Sequence, residues 1–226
     1  IILLSATMSQ TQRTQYLSAF QSGLSVEPSK DSDVEGLSYP LFTKVDSNGI
    51  ESIPVVSNRP RNIDVSWLSS EKQCFEYIIE KATSGKSVVW IRNTIDDALR
   101  AFRSLLSSEK IDPGKILLFH SRFAFSDRQR IEEQAVSELG KHSSSERAGK
   151  IVIATQVIEQ SLDIDADELI SDLAPIDLLI QRSGRLHRHN RDVSGRVKDT
   201  GADERGTPVL HILETRWAES THQDWY

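Results

Sequence analysis

The chain has 226 residues, 38% of them hydrophobic, which is enough for one sizeable core with a small appendage. A net charge of −6 and a pI of about 5.6 argue against wholesale coating of DNA but permit a local basic track. Cys74 is the single cysteine, which excludes an internal disulfide and a cysteine zinc site. No run approaches the ~20 apolar residues of a membrane span, and no signal peptide is visible. We therefore expect a cytoplasmic protein with no membrane partner.

The first third of the chain predicts a small helical and hairpin segment. Residues 1–4 are wholly apolar and carry no initiator Met, which predicts a buried strand belonging to a longer protein. Residues 10–20 have helical character. The segments 39–45 and 50–56 flank an Asn-Gly pair, which favours a β-hairpin.

The remaining two thirds alternate short apolar strands with helices. Nearly continuous apolar strands between helices predict a parallel sheet that is covered on both faces. We expect strands at 61–68, 87–91, 116–119, 151–154, 168–171 and 209–213, and helices at 96–106, 126–139 and 176–185. Ser126 is a possible helix cap and Gly140 a stop signal. The polar segments 141–149 and 192–206 are predicted to be mobile.

Polar residues gather just past the predicted strand 151–154. In open α/β sheets this carboxyl edge is where ligands bind. Thr155 can offer a hydroxyl and a backbone N–H to a phosphate, and Asp163 can accept a hydrogen bond from a ribose hydroxyl. An ordinary strand–loop–helix with a capping threonine explains the segment equally well, so the residues alone leave both interpretations open.

A basic run follows the last predicted helix, with four arginines and two histidines between Arg182 and Arg191. Arg182, Arg185 and Arg188 recur every third residue, which places them on adjacent positions of a helix. Guanidinium groups fork onto phosphate oxygens in pairs, and Gly184 permits close backbone packing. The alternative is a solvated basic helix end, which leaves the spacing of the glutamine, glycine and arginines unexplained.

Three segments resemble a known family. Residues 181–188 read Gln-Arg-Ser-Gly-Arg-Leu-His-Arg and resemble motif VI of superfamily 2 helicases. Residues 155–165 resemble motif V, although Gln160 and Ser161 replace the Arg and Gly of many relatives. Residues 5–7 resemble motif III. The sequences of residues 154–165 and 184–189 most resemble those of the helicase–nucleases of type I CRISPR systems.

The resemblance implies an α/β fold, a RecA-like parallel sheet flanked by helices, with a small N-terminal helix and β-hairpin segment. Residues 1–24 would be the remnant of a first RecA-like domain, 25–57 a connecting segment with the hairpin, and 58–226 the second RecA-like domain. The whole protein would be an ATP-dependent single-stranded DNA helicase of CRISPR interference. Its partners would be single-stranded DNA, its own first RecA-like and nuclease domains, and the CRISPR surveillance complex. ATP and Mg²⁺ would be bound mainly by the first domain.

The resemblance also assigns roles to single positions. Arg185 and Arg188 would be arginine fingers that stabilise the transferred phosphoryl group, and Gln181 would position the attacking water. The expected nucleotide contacts are Asp163, Arg182 and Gly184, although a structural salt bridge is an equal alternative for Arg182. The expected nucleic-acid contacts are Thr155, Gln156, Asn93, Thr94, His120, Ser121 and Arg122. Interdomain coupling would involve Ser5, Ala6 and Thr7, and no metal ligand is expected.

The motifs that hold a triphosphate are missing from the sequence. Gly85-Lys86-Ser87 has only the ending of a phosphate loop, and no Asp-Glu-x-His string occurs. We therefore expect this chain alone not to hydrolyse ATP. Two alternatives stay open: the second motor domain of another superfamily 2 repair helicase or restriction translocase, and a stand-alone, non-catalytic nucleic-acid-binding or regulatory module.

Overall fold

A computed structural model describes residues 2–5, 8–24, 40–55, 61–159 and 162–214. Its contacts divide the chain into two compact units, Ile1–Arg61 and Asn62–Tyr226. Four positions singled out by the sequence lie outside the described residues: Ala6, Thr7, Gln160 and Ser161.

The first unit contains one helix and the predicted hairpin. The elements are α1 (Gln10–Gly23), β1 (Leu41–Asp46) and β2 (Gly49–Pro54), and the two strands pair antiparallel. Arg13 on α1 donates to the hydroxyls of Thr43 and Ser52, at 2.9 and 2.7 Å, and so attaches the helix to the hairpin. The helix and the hairpin therefore fold together, across the expected division between 1–24 and 25–57. The roles assigned to those two segments stay predictions.

The second unit is built on a six-stranded sheet in which every pair of neighbours is parallel. This confirms the predicted α/β class, and the strand order is β3-β8-β7-β4-β6-β5. The elements are β3 (Asp64–Leu68), α2 (Glu71–Thr83), β4 (Val88–Ile91), α3 (Ile95–Ser107), β5 (Ile116–Phe119), α4 (Phe125–Leu139), β6 (Ile151–Ala154), β7 (Glu168–Asp172), α5 (Ile176–Ser183) and β8 (Val209–Leu213).

The core lies on both faces of the central strands, because successive strand side chains point to opposite faces. All four residues of β4 and of β6 are buried. One apolar cluster joins Trp90 to residues of α2 and α3, and the other joins Val89 to residues of α4 and α5. Cys74 is buried on α2, as expected, and burial raises the pKa of its thiol to about 12.

Several local predictions are wrong. Residues 2–4 are exposed and lie in no strand, although the apolar run 1–4 predicted a buried strand. Helix α4 begins at Phe125 with Ala124 as its N-cap, not at Ser126, and α5 ends at Ser183, before Arg185. The segments 141–149 and 192–206, predicted to be mobile, are tied to the sheet. Arg147 and Arg205 anchor them through buried ion pairs, so charge takes the place of the apolar contacts that these segments lack. None of the helices in the described ranges combines the length and apolar character that a membrane crossing needs.

Candidate functional site

The carboxyl edge of the sheet brings the expected nucleic-acid contacts into one row. The last residues of β4 and β5, Ile91 and Phe119, both lie in register with Ala154, the last residue of β6. The polar segments 92–94, 120–122 and 155–156 therefore follow three neighbouring strand ends. Their nucleic-acid roles stay predictions, and the members of the row differ in how far their side chains are exposed.

Thr155 is placed differently from the expectation. It is fully buried, and its N–H donates to the carbonyl of Phe119 at 3.1 Å, which continues the pairing of β6 with β5. Its hydroxyl oxygen is also buried and has no hydrogen-bond partner among the described residues. A phosphate contact from Thr155 does not fit this arrangement. The adjacent Gln156 is exposed and remains a candidate.

Asn93 and Thr94 serve the fold at the end of β4. The Asn93 side-chain amide donates to Leu173 O at 2.8 Å, and its backbone N–H donates to Asp172 Oδ2 at 2.9 Å. Thr94 is the N-cap of α3, because its hydroxyl accepts the N–H of Asp97 at 3.1 Å. These bonds use the backbone N–H of Asn93, one hydrogen of its side-chain amide and the hydroxyl of Thr94. The nucleic-acid roles of both residues stay predictions.

His120, Ser121 and Arg122 follow β5. His120 is buried, its ring stacks on Phe123 with centroids 4.2 Å apart, and its Nδ1 accepts the N–H of Arg122 at 3.3 Å. Burial lowers the pKa of His120. His120 is therefore a strand-end histidine that is held by contacts within the fold. Ser121 and Arg122 are exposed, and Arg122 pairs with Asp96 at 3.3 Å.

The two predicted fingers lie beside the segment that leaves β6. Arg185 follows Gly184, the C-cap of α5, and its Nε and Nη2 donate to the carbonyls of Ile158 and Glu159 at 3.3 and 2.8 Å. A β-carbon on Gly184 would come within 3.1 Å of Gln181 O, so the glycine permits a close turn at the helix end. Arg185 is thus held by backbone oxygens.

Arg188 joins motif VI to motif V. Its Nε donates to Asp163 Oδ1 at 2.6 Å, and His189 Nε2 lies 2.9 Å from the same oxygen. The side chains of Arg188 and Asp163 are 38% and 48% exposed, so water reaches the pair. We call Asp163, Arg185, Arg188 and His189 the Asp163 cluster. The sequence predicted that three of these residues act together, and the structure brings them to one place.

The Asp163 cluster carries more positive than negative charge. Burial, followed by the neighbouring charge of Arg188, lowers the pKa of Arg185, but an arginine remains protonated. Burial would raise the pKa of Asp163, yet the hydrogen bonds from Arg188 and His189 outweigh it and hold that pKa below its usual value. Arg188 therefore pairs directly with the Asp163 carboxylate, whereas Arg185 is held by carbonyl oxygens beside it.

Arg182 is a structural residue in this arrangement. It is 2% exposed, and its Nε donates to Glu159 Oε1 at 2.7 Å. Its Nη1 donates to Ser171 Oγ at 2.8 Å and to Asp172 O at 3.2 Å. Of the two alternatives for Arg182, the structure supports the salt bridge and not a nucleotide contact.

Sequence reasoning missed His187. This residue has a φ of 47°, a left-handed conformation that is uncommon outside glycine, although Asn, Asp and His adopt it more often than other residues. Its N–H donates to Ala166 O at 3.0 Å, and its Nε2 lies 3.0 Å from Asp167 O. The turn at His187 thereby positions Arg185 and Arg188, which flank it. No sequence pattern predicts the left-handed backbone conformation of this histidine.

A second group of charges lies at the opposite, amino edge of the sheet, where β7 begins. We call it the buried ion network; it consists of Arg147, Asp165, Asp167, Arg191, Asp203 and Arg205. Asp167 accepts from Arg147 and from Arg205, each at 2.9 Å. Asp165 accepts from Arg205 at 3.1 Å and also from Arg191, whose side chain is 0% exposed. Arg191 continues the three-residue spacing of Arg185 and Arg188, but its buried ion pair makes it a structural residue.

Two further predicted positions, Gln181 and Ser5, are placed as follows by the structure. Gln181 lies on α5 and is half-buried, while Ser5 lies in the first unit. Their roles stay predictions. Among the described residues no group of three or more His, Cys, Asp or Glu side chains could hold a metal ion.

Comparison with known proteins finds consistent similarity. Residues 84–191 match the family model described as CRISPR-associated nuclease/helicase Cas3, C-terminal. The CRISPR-associated nuclease/helicase Cas3 of Streptococcus thermophilus is 38% identical over 199 residues, which cover 84% of this chain and 20% of that protein. The chain therefore spans about a fifth of this relative's length.

Two solved structures share the fold over almost the whole chain. The T. fusca Cas3-ATP crystal structure has a TM-score of 0.77 at 26% identity, covering 94% of this chain and 26% of that one. A chain of a CRISPR RNA-guided surveillance complex, described as pre-nicking, has a TM-score of 0.76 at 25% identity, covering 94% and 27%.

Proposed function

Because this chain carries the helicase C-terminal domain of a Cas3 protein, we propose that it supplies the second half of an ATP-driven, single-stranded DNA translocase. In this proposal Arg185 and Arg188 are arginine fingers that act on a nucleotide held by a first RecA-like domain elsewhere in the protein. The observation that carries the proposal is the meeting of the two motifs, where Arg185 donates to the carbonyls of Ile158 and Glu159 and Arg188 pairs with the partly exposed Asp163.

A surplus of guanidinium groups suits a polyphosphate. Arginine forks onto phosphate oxygens, and fixed positive groups stabilise the charge that develops as a phosphoryl group is transferred. ATP supplies the reactive phosphoryl group and carries negative charge, so it is complementary to the cluster. Asp163 Oδ1 is already occupied, because Arg188 and His189 both contact it. Asp163 would therefore accept a ribose hydroxyl through its other carboxylate oxygen. Any Mg²⁺ would be held mainly by the first domain.

The carboxyl edge would carry the DNA strand. Ser121, Arg122 and Gln156 are exposed there and follow neighbouring strand ends. They could contact the phosphates of a strand that crosses the ends of β5 and β6. The likeness to a chain of an RNA-guided surveillance complex supports the further proposal that the whole protein works with such a complex.

The finger assignment is tested by Arg185→Ala in the intact protein. ATP turnover should fall by roughly 10³- to 10⁵-fold, the usual contribution of an arginine finger, because the transferring charge loses its partner. Affinity for a single-stranded oligonucleotide should stay at the wild-type level. Arg103→Ala, an exposed arginine on α3, is the matched control and should leave both quantities unchanged. Near-normal turnover in Arg185→Ala would reject the assignment.

A further inference from the structure

Phe125 is exposed where the fold gives no reason for an aromatic residue. It is the first residue of α4, and 84% of its surface is accessible. Its neighbours Ala124 and Ser126 are exposed as well, and Ala124 at the N-cap has no side-chain acceptor for the helix. Leaving a phenylalanine in water forgoes the free energy that burial of its ring would recover. Such a residue is suited to a partner that covers it.

The position of Phe125 points to the nature of that partner. Helix α4 follows β5, so Phe125 stands at the carboxyl edge of the sheet, three residues after the exposed Arg122. The intervening Phe123 is stacked on the buried ring of His120, which anchors the loop to the end of β5. Phe125 therefore follows an anchored loop, and it lies on the same edge of the sheet as the proposed phosphate contacts.

The charges around Phe125 favour a partner that offers more than phosphate. Arg122 pairs with Asp96 at 3.3 Å, and Arg130 pairs with Asp127 at 2.7 Å. Arg128 pairs with Glu132 at 2.9 Å. Each of these arginines therefore has a carboxylate beside it, which weakens its electrostatic attraction for the phosphates of a DNA strand. A nucleic-acid strand held here needs a contribution that does not depend on charge.

We propose that Phe125 is a base-stacking residue for single-stranded DNA. The flat apolar face of a nucleobase covers an exposed phenyl ring and adds stacking energy, and every base has such a face, so the contact is tolerant of sequence. This inference rests on the proposed function, since it adds a base contact to the phosphate contacts of the same edge. The competing occupant is another protein surface that packs on Phe125.

The test measures affinity of the intact protein for a fluorescent single-stranded oligonucleotide in Phe125→Ala, Phe125→Leu and Phe125→Tyr. Stacking predicts that alanine and leucine both weaken binding by roughly five- to a hundredfold, while tyrosine keeps wild-type affinity. Val193→Ala, which removes another exposed apolar side chain outside the proposed DNA contacts, should have no effect. The slope of log affinity against log salt should not change, because Phe125 makes no phosphate contact.

An abasic scan identifies the contact directly. Removing one base from the oligonucleotide should weaken wild-type binding at one position and should not weaken Phe125→Ala any further there. If leucine binds as well as phenylalanine, or if no abasic position is coupled to Phe125, the stacking proposal is overturned. If wild-type protein fails to bind single strands at all, the proposed function falls as well. If Arg185→Ala loses turnover while every Phe125 variant binds normally, only the stacking proposal falls.

Discussion

The basic run from Arg182 to Arg191 contributes to two regions that treat charge in opposite ways. In the buried ion network, three arginines meet three aspartates, and Arg191 has no accessible surface. In the Asp163 cluster, Arg185 donates to backbone carbonyls and Arg188 pairs with Asp163, and the Arg188–Asp163 pair is partly open to water. The two regions use the same residue type, and their arginines are only three positions apart in the chain.

The difference follows from the cost of burying charge. A buried guanidinium must be neutralised and fully hydrogen-bonded, because removing an ion from water costs several kcal/mol. An ion pair that solvent reaches carries a smaller cost, and its arginine stays accessible to an anion. The burial of the ion pair, and not the residue type or its spacing, separates a structural arginine from a candidate functional one.

The largest effect on stability should come from Arg191→Ala. This change leaves Asp165 without one of its buried partners, and it removes a donor from the carbonyls of Ser143 and Gly140. We expect a loss of about 3–5 kcal/mol in the free energy of unfolding, measured by urea denaturation of the 226-residue chain. A loss below about 1 kcal/mol, the range of surface ion pairs, would show that the network does not contribute as described.

Mild acid should have a smaller effect, and its sign follows from three buried histidines. Burial lowers the pKa of His120, His187 and His211 below 6.5, and Arg205 lowers that of His187 further. Below pH 6.5 the unfolded chain therefore binds more protons than the folded chain, so stability is complete above 6.5 and declines as the pH falls. Urea unfolding at about pH 7.5 and about pH 5.5 measures this decline.

The variant His187→Asn sharpens the acid test. Asparagine tolerates the left-handed conformation and can donate a hydrogen bond, but it does not titrate. The variant should lose less stability than wild type between the two pH values. An equal or steeper decline would mean that His187 does not contribute to the acid sensitivity.

The smallest effect should come from Arg188→Ala, the matched counterpart of Arg191→Ala. Its ion pair with Asp163 is 38% and 48% exposed, so we expect a change of about 0–1 kcal/mol in unfolding free energy. Urea denaturation of both variants under the same conditions tests the comparison. Equal losses would contradict the distinction between the two regions.

The sequence was sufficient to predict the architecture of the second unit. Short apolar runs such as 151–154, with helices between them, require a parallel sheet covered on both faces, and the structure has that sheet. The strand order was not predictable, because every strand in the centre is equally apolar. The start of α4 was also missed, since Ala124 and Phe125 carry no capping signal.

The candidate site was only partly predictable. Neighbouring strand ends place Gln156 and Arg122 on one edge, and the motif spacing places Arg188 near Asp163. The sequence could not show which polar groups already have a hydrogen-bond partner within the fold. The N–H of Thr155 is taken by Phe119, and Arg182 is taken by Glu159, through contacts between residues that are 36 and 23 positions apart.

The reach of Arg191 also restricts how the chain can vary in length. One guanidinium donates to Gly140 and Ser143 on one side and to Gly195 on the other, so it fastens two distant turns with a single side chain. An insertion at 193–194 would displace Gly195 and, through Arg191, disturb the end of a helix 51 positions earlier in the chain. Insertions and deletions in these two turns should therefore arise together or not at all, which makes this corner of the domain a poor place for epitope tags or grafted loops.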